Sequence, residues 1–328
     1  MSSENIIHLA YGSDDNYWLP TAISAASAAF GCSIPIVIHI FDAGISDAHY
    51  SELEGIIRKA RIDALCKRHV IDKSMFVGFG EWRGSVITYS RMFIQEILPD
   101  VDWAIYVDGD TLWLGDIADL WKLRNDSALI QASIDPPTPM GAPSPEFKWY
   151  AERGLNIDPK EYLCMGLMLA NLKRMRAEKI ADKCRSFMKE YPCPRVVDQT
   201  VLNYVCKGTT EPLPAQWGVF SVWHGNVDMS GPACVHYVND VPWRRDKVNR
   251  LISDVVMLWY AFGKRVIGCD LRKKYISSFS WFWRRCVFLA LKHNQWILRL
   301  HPYLKSRLRN THGIDKRVMV MLLSRYGR

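Results

Sequence analysis

The run Ala104-Ile105-Tyr106-Val107-Asp108-Gly109-Asp110-Thr111-Leu112 constrains the chain more than any other stretch. Ile105, Tyr106 and Val107 are apolar β-formers and read as a buried strand. Alternation along a strand sends positions i and i+2 to one side, so Asp108 and Asp110 are expected to share a face at the strand's C-terminal end. In an open α/β sheet that edge is where ligands bind. Two carboxylates held together there repel unless a cation lies between them. Mg²⁺ and Mn²⁺ take oxygen ligands and are commonly shared with substrate phosphates. The stretch therefore points to a metal–diphosphate site. The alternative is a solvated strand-to-turn junction, which Asp and Gly favour without any ligand.

The rest of the chain sets strands and helices in alternation around that run. Strands are expected at Ile6–Tyr11, Ile34–Phe41, up to Val70-Ile71, Ala128–Ile134, Gly166–Leu172 and Ala233–Tyr237. Helices are expected at Leu19–Phe30, from Ser46 to about Arg61, at Thr88–Leu98, from Lys173 to Glu190 and at Val197–Cys206. This order predicts an α/β fold with a mainly parallel sheet. Pro136, Pro137, Pro139, Pro143 and Pro145 mark a surface loop placed to cover a site.

Composition narrows the function classes. With 49% apolar and 23% charged residues, the 328-residue chain is globular. Its nine cysteines form no CxxC pair, which argues against a disulfide framework or a zinc ribbon and for a reducing cytosol. Met1–Asn5 lacks the basic start of a signal peptide. No apolar run approaches the ~20 residues that span a bilayer. The net charge of +8 is unevenly spread: Arg244 to Arg328 holds 20 Lys and Arg against 4 Asp, or +16, which leaves −8 for residues 1–243. A basic segment on an acidic body suggests an anionic partner surface.

Other residues carry chemistry in the right places. Asp14-Asp15-Asn16-Tyr17 lies where the first strand meets the first helix, a position for holding a nucleotide. Asp14 can accept a hydrogen bond from a base or ribose and Tyr17 can stack on a base, although an ordinary Asx-type helix start fits the same residues. There is no GxGxxG and no GxxxxGK[ST], so neither a dinucleotide fingerprint nor a P-loop is present. His236 ends a late strand and can supply a third metal ligand; a packed strand histidine is the plainer reading, and His224 competes with it. Asp198-Gln199 opens a helix, as a capping residue or as an amide aimed at a reacting centre. Over residues 281–300, Phe282, Leu289 and Trp296 form an apolar ridge beside the basic ridge of Arg285, Lys292 and Arg299. That pattern reads as an interfacial helix on an anionic membrane.

Taken in order, Asp14–Tyr17, Asp42-Ala43-Gly44-Ile45-Ser46, Thr88–Arg91, Tyr106–Asp110, Ser133–Asp135, Gly166–Leu172, Asp198-Gln199 with Leu202-Asn203, and His236 with Pro242-Trp243 resemble glycosyltransferase family 8. Those enzymes are retaining and have the GT-A fold. The likeness is strongest to bacterial lipooligosaccharide galactosyltransferases and lipopolysaccharide hexosyltransferases. It implies a Rossmann-like, mainly parallel central sheet over residues 1–245 and a basic, aromatic, mostly helical membrane-association segment over 246–328. It assigns Asp108, Asp110 and His236 to a Mn²⁺ ion, with Mg²⁺ as the alternative. It assigns Asp14, Asn16, Tyr17 and Val107 to the nucleotide, and Arg91, Asp135, Cys164 and Met165 to the donor sugar. It places Gln199 near the anomeric carbon, with Asp198 beside it.

The expected donor is UDP-galactose or UDP-glucose. The expected acceptor is a lipopolysaccharide, lipooligosaccharide or other lipid-linked glycan. The expected location is cytoplasmic, peripheral on the inner face of the bacterial inner membrane. No nucleic-acid module accompanies the basic tail, so nucleic acid is not an expected partner. Two departures stand out. Cys164-Met165-Gly166 occupies the place of the family's Asn-Ala-Gly, and the run before Pro242-Trp243 is one residue short and lacks the family's Gly and Lys. They motivate a second reading, a UDP-sugar-binding protein without transferase activity.

Overall fold

A computed structural model of the chain describes residues 6–82, 84–135, 145–192, 194, 196–220, 233–238, 241–243 and 254–275. The strands are β1 (Ile7–Ser13), β2 (Ile36–Asp42), β3 (Leu65–Val70), β4 (Trp103–Val107), β5 (Thr111–Trp113), β6 (Ile130–Ile134), β7 (Leu163–Asn171), β8 (Thr210–Pro212), β9 (Trp217–Phe220) and β10 (Cys234–His236). The helices are α1 (Trp18–Gly31), α2 (Asp47–Ala60), α3 (Ile94–Ile97), α4 (Ile117–Trp121), α5 (Pro145–Ala151), α6 (Leu172–Ala177), α7 (Ile180–Glu190), α8 (Val197–Val205), α9 (Asp254–Arg265) and α10 (Arg272–Tyr275).

Seven strands form the central sheet in the order β3-β2-β1-β4-β7-β6-β8. It is the mainly parallel α/β sheet expected. β7 alone runs against both of its neighbours, β4 and β6. That reversal matters for the site. It brings the start of β7 to the same edge as the C-terminal ends of β1, β4 and β6, with Val107 opposite Leu167 and Ser133 opposite Cys164. A small second sheet, β5-β10-β9, stands beside this edge.

Strand alternation divides the core between the two faces of the sheet. Leu9, Tyr11, Ile105 and Val107 pack on one side with α1, whose alanines (Ala22, Ala25, Ala26, Ala29) are fully buried and let the helix lie close to the sheet. Ala10, Ala104, Tyr106 and Met168 pack on the other side with α7 and α8. Ser46 caps α2 as expected, accepting from the His49 amide at 3.3 Å. Within the segment from residue 246 onward, α9 places Leu258, Trp259 and Phe262, all fully buried, in the same core as α1. Among the described residues no helix is long and apolar enough to cross a membrane. The 281–300 helix, the loop from Pro136 to Pro143, His224 and Asn239-Asp240 lie outside the described residues.

Two elements differ from the expected ones. Thr88–Leu98 is a 3-10 segment over Ile87–Phe93 followed by the single turn of α3. The tighter winding turns Arg91 inward, to 5% exposure. Lys173–Glu190 is two helices, because Lys179 adopts a left-handed φ of 53° and redirects the chain.

Candidate active site

β4 stops at Val107, and Asp108-Gly109-Asp110 is a tight turn into β5. The two carboxylates therefore converge through a turn, where strand alternation was expected to align them. The Asp108 amide donates to Gly166 O at 2.8 Å, which fixes the turn to β7. Gly109 is required because α1 passes against it: a Cβ there would strike the Thr21 side chain. β5 then pairs antiparallel with β10 in a register that sets His236 opposite Thr111, and the Tyr237 amide donates to Asp110 O at 2.8 Å. The result is a triad. One ligand atom each from Asp108, Asp110 and His236 lies within 4.8 Å of the others. His236 Nε2 is 3.1 Å from Asp110 Oδ1 and 3.7 Å from Asp108 Oδ2.

Arg91 enters this wall from the 3-10 segment. Its guanidinium pairs with Asp108 Oδ1, lies 2.9 Å from Asp198 Oδ2, and sits 4.8 Å from the centre of the Tyr106 ring. Thr88 Oγ1 donates to the other Asp198 oxygen at 2.6 Å. Asp198 is thus tied to Arg91 and Thr88.

Gln199 belongs to a separate network. Its carbonyl accepts from the Met165 amide and its NH₂ donates to Asp135 Oδ2, each at 3.1 Å. Asn203, one turn on, bonds the backbone of Leu163 in both directions at 2.8 Å and so clamps α8 to β7. Val197, at the head of α8, has φ 25°, a strained conformation for a β-branched residue immediately before Asp198.

A cleft of about 330 Å³ runs along the sheet edge, lined by Asp14, Asn16 and Tyr17 on one wall and by Thr88, Arg91, Asp108 and Asp110 on the other. Asp14 Oδ1 accepts from the amides of Asn16 (3.0 Å) and Tyr17 (3.2 Å), so it starts α1 as an Asx turn while still facing the cleft. Val107 is fully buried in the core. Of the pair at 164–165, the Met165 side chain is in the core on the α8 side of the sheet, and its backbone carries the contacts to Gln199 and Arg91. Cys164 is buried, and burial pushes its thiol up while the neighbouring His236 pulls it down. Trp82, in a small bridged turn with Ser85, also lines the cleft. Sequence reasoning passed over it, although the glycine punctuation of Val77-Gly78-Phe79-Gly80-Glu81-Trp82-Arg83-Gly84 signals such a loop.

The electrostatics of the triad wall are those of a cation site. Burial, reinforced by Asp110 and opposed by Arg91, pushes the Asp108 carboxyl up to about 6. Burial also raises Asp198 against the pull of Arg91. Burial disfavours a charged His236, but the charge of Asp110 and its hydrogen bond to the ring hold it well above its ordinary value. Asp135 rises to about 7 through burial and the nearby Glu146, offset in part by the Gln199 hydrogen bond. Two carboxylates, Asp108 half-buried and Asp110 buried, and one buried imidazole crowded against them fit a divalent ion that accepts oxygen and nitrogen ligands.

The profile of glycosyl transferase family 8 matches residues 8–247. The chain belongs to that family. It is 26% identical over 202 residues to a provisionally assigned glycosyltransferase of Haemophilus influenzae, a match covering 60% of this chain and 58% of the relative. It is 24% identical over 246 residues to the glycosyltransferase GlyE of Streptococcus pneumoniae, covering 69% of this chain and 54% of GlyE. The chain therefore spans somewhat more than half the length of these relatives. Among solved structures, the galactosyltransferase LgtC in complex with donor and acceptor sugar analogues superposes with a TM-score of 0.63 at 23% identity, covering 73% of this chain and 90% of LgtC. That likeness extends the GT-A fold to this chain.

Proposed function

We propose that this family 8 protein is a metal-dependent, retaining hexosyltransferase that moves galactose or glucose from a UDP-sugar to a lipopolysaccharide, lipooligosaccharide or other lipid-linked glycan. The observation that carries the reading is the Asp108–Asp110–His236 triad, whose two aspartates line a cleft also lined by Asp14, Asn16 and Tyr17. Asp108, Asp110 and His236 would hold the ion. The imidazole favours Mn²⁺ over Mg²⁺, whose preferred partners are oxygens. When bound, the ion supplies Lewis-acid stabilisation of the charge that grows on the departing diphosphate.

The chain's own residues do the rest. Tyr17 offers a ring face for uracil, and Asn16 and Asp14 offer polar groups for the nucleoside. Arg91, held rigid by Asp108 and Asp198, presents a fixed cation to the donor side of the cleft. Gln199 is the candidate for facing the anomeric carbon as positive charge develops there, since its amide is held on both sides. A glutamine is also the residue altered in an active-site mutant of LgtC. Asp198, committed to Arg91 and Thr88, acts as a positioning group. The basic segment beyond α10 is the part we expect to hold the enzyme against the anionic inner face of a bacterial membrane.

The test is release of UDP from UDP-galactose and UDP-glucose, with Mn²⁺ or with chelator, over a set of glycan acceptors. Mn²⁺-dependent release is expected from the native protein. Asp108→Asn/Asp110→Asn is expected to lower it about 10³-fold, on the scale of losing a principal electrostatic stabiliser. Full activity of the double variant overturns the metal role. Metal-dependent UDP binding with no release on any acceptor favours the binding-protein reading that Cys164-Met165 motivates.

A further inference from the structure

Tyr17 is fixed at both backbone and ring. Its amide donates to the Asp14 carboxylate at 3.2 Å as α1 begins. Its ring, half-buried and lining the cleft, meets the indole of Trp243, with ring centres 5.7 Å apart and planes at 88°. A perpendicular contact of this kind sets the plane of the Tyr17 ring and leaves at least one of its faces uncovered by Trp243. Trp243 itself lies in a turn, outside the strands and helices, and α9 supports it. Trp259, fully buried, packs on Trp243 with ring centres 5.6 Å apart. The Tyr260 hydroxyl donates to the carbonyl of Pro242, the residue before Trp243. The helix is seated in turn in the core, where Phe262, fully buried, meets Phe30 of α1 edge-on.

A line of ring contacts thus runs from the cleft into a helix that begins at Asp254, past residue 247, where the match to family 8 ends. We propose that Trp259 is a positioning residue of the nucleotide site: through Trp243 it holds the Tyr17 ring in the plane that receives the base, and α9 is thereby part of the donor-binding unit. The proposal rests on the reading of Tyr17 as the platform for uracil. A ring that swings freely beside a cleft must be frozen when a base stacks on it, and that ordering subtracts from affinity. The perpendicular contact with Trp243 removes the freedom beforehand, and the buried indole of Trp259 keeps Trp243 in place. If Trp259 served core packing alone, its loss would weaken every ligand of the cleft alike. As a positioning residue, it affects only ligands that carry a base.

The experiment is calorimetric titration of the full chain in Mn²⁺ with UDP and with ribose 5-diphosphate, which shares the ribose and diphosphate and lacks the base. The variants are Tyr17→Ala, Trp259→Leu, Trp259→Phe, Trp243→Leu and Tyr17→Ala/Trp259→Leu. Loss of the stacking ring in Tyr17→Ala is expected to weaken UDP binding about 10–100-fold. Trp259→Leu keeps apolar bulk and removes one ring contact, so it is expected to weaken UDP about 3–10-fold and to leave ribose 5-diphosphate unchanged. Trp259→Phe restores a ring and is expected to recover most of that loss. Trp243→Leu, at a half-buried position, is expected to match Trp259→Leu and stands in for it if the buried change prevents folding. In the Tyr17→Ala background, Trp259→Leu is expected to have no effect on UDP.

Equal weakening of UDP and ribose 5-diphosphate by Trp259→Leu overturns the proposal and returns Trp259 to core packing alone. A Trp259→Leu effect that persists undiminished without Tyr17 also overturns it. Native UDP affinity in Trp259→Leu, with a clear loss in Tyr17→Ala, overturns the proposal and leaves the donor site standing. Unchanged UDP binding in Tyr17→Ala, or no UDP binding by the native chain, overturns the nucleotide reading itself and this proposal with it.

Discussion

At the sheet edge, one wall gathers Asp108, Asp110, His236 and Arg91 around the β4–β5 turn with full or partial charges, three of them at 8% exposure or less. A second wall, outside the cleft lining and where α8 meets β6 and β7, joins Asp135, Gln199 and Asn203 instead by amide hydrogen bonds of 2.8–3.1 Å to one another and to backbone. One wall is a set of charges whose mutual cancellation must be complete. The other is a scaffold of neutral groups, each holding a neighbour in place. The first is suited to gripping a cation and a diphosphate, and the second to holding an amide still beside a reacting carbon. The two should therefore fail differently when a side chain is removed.

The charged wall is expected to give the largest effect. Arg91→Met removes the cation between Asp108 and Asp198 and leaves a buried carboxylate, Asp198, and a half-buried one, Asp108, without their shared countercharge. Deleting one partner of a buried ion pair typically costs about 3–5 kcal/mol, and that loss is expected in urea unfolding with chelator present. Excess Mn²⁺ is expected to restore part of it, because the ion supplies a countercharge to Asp108. A loss under 1 kcal/mol would show that water already screens this wall, and the contrast with the other would dissolve.

The neutral wall is expected to respond less. Gln199→Leu removes two hydrogen bonds and leaves the Met165 amide without its acceptor. The expected destabilisation is about 1–3 kcal/mol, with Mn²⁺ affinity unchanged and UDP release sharply reduced. A loss of Mn²⁺ binding in this variant would mean that the two walls are one unit.

How much of this was open to a reader of the sequence depended on distance along the chain. The DGD run, the Ser46 cap and the strand–helix alternation are local and were legible. His236 sits 126 residues from Asp110, and only the antiparallel register of β5 with β10 places them together. β5 is three residues long and carries no period that marks it as a strand. The Arg91–Asp198 pair and the reversal of β7 are likewise products of topology. The break at Lys179 has no glycine or proline to announce it, and the 3-10 winding of Ile87–Phe93 has the same apolar spacing as the helix expected there. In the basic C-terminal part, a count of charges obscured the apolar stripe of Leu258, Trp259 and Phe262 that packs on α1.

The smallest expected effect separates the two walls by pH. Asp135 is the one carboxylate of the neutral wall, and it is held at about 7 by burial and by Glu146. An unfolded aspartate titrates near 3.9. Since the folded value is the higher one, the native state binds the extra proton between about pH 4 and pH 7. The stability this group contributes is complete below the unfolded value and is lost as pH rises through 7. Asp135→Asn, which can still accept from Gln199, is therefore expected to be more stable than native protein at pH 8 and equal to it near pH 4. The gap should stay modest because Asp135 is only partly buried and water screens it. Asp108, raised to about 6, contributes in the same direction to both proteins and cancels in the difference. The check is a pair of urea-unfolding series in chelator from pH 4 to pH 8. A difference that is flat with pH would place the proton elsewhere, and one that appears only when Mn²⁺ is present would tie Asp135 to the charged wall after all.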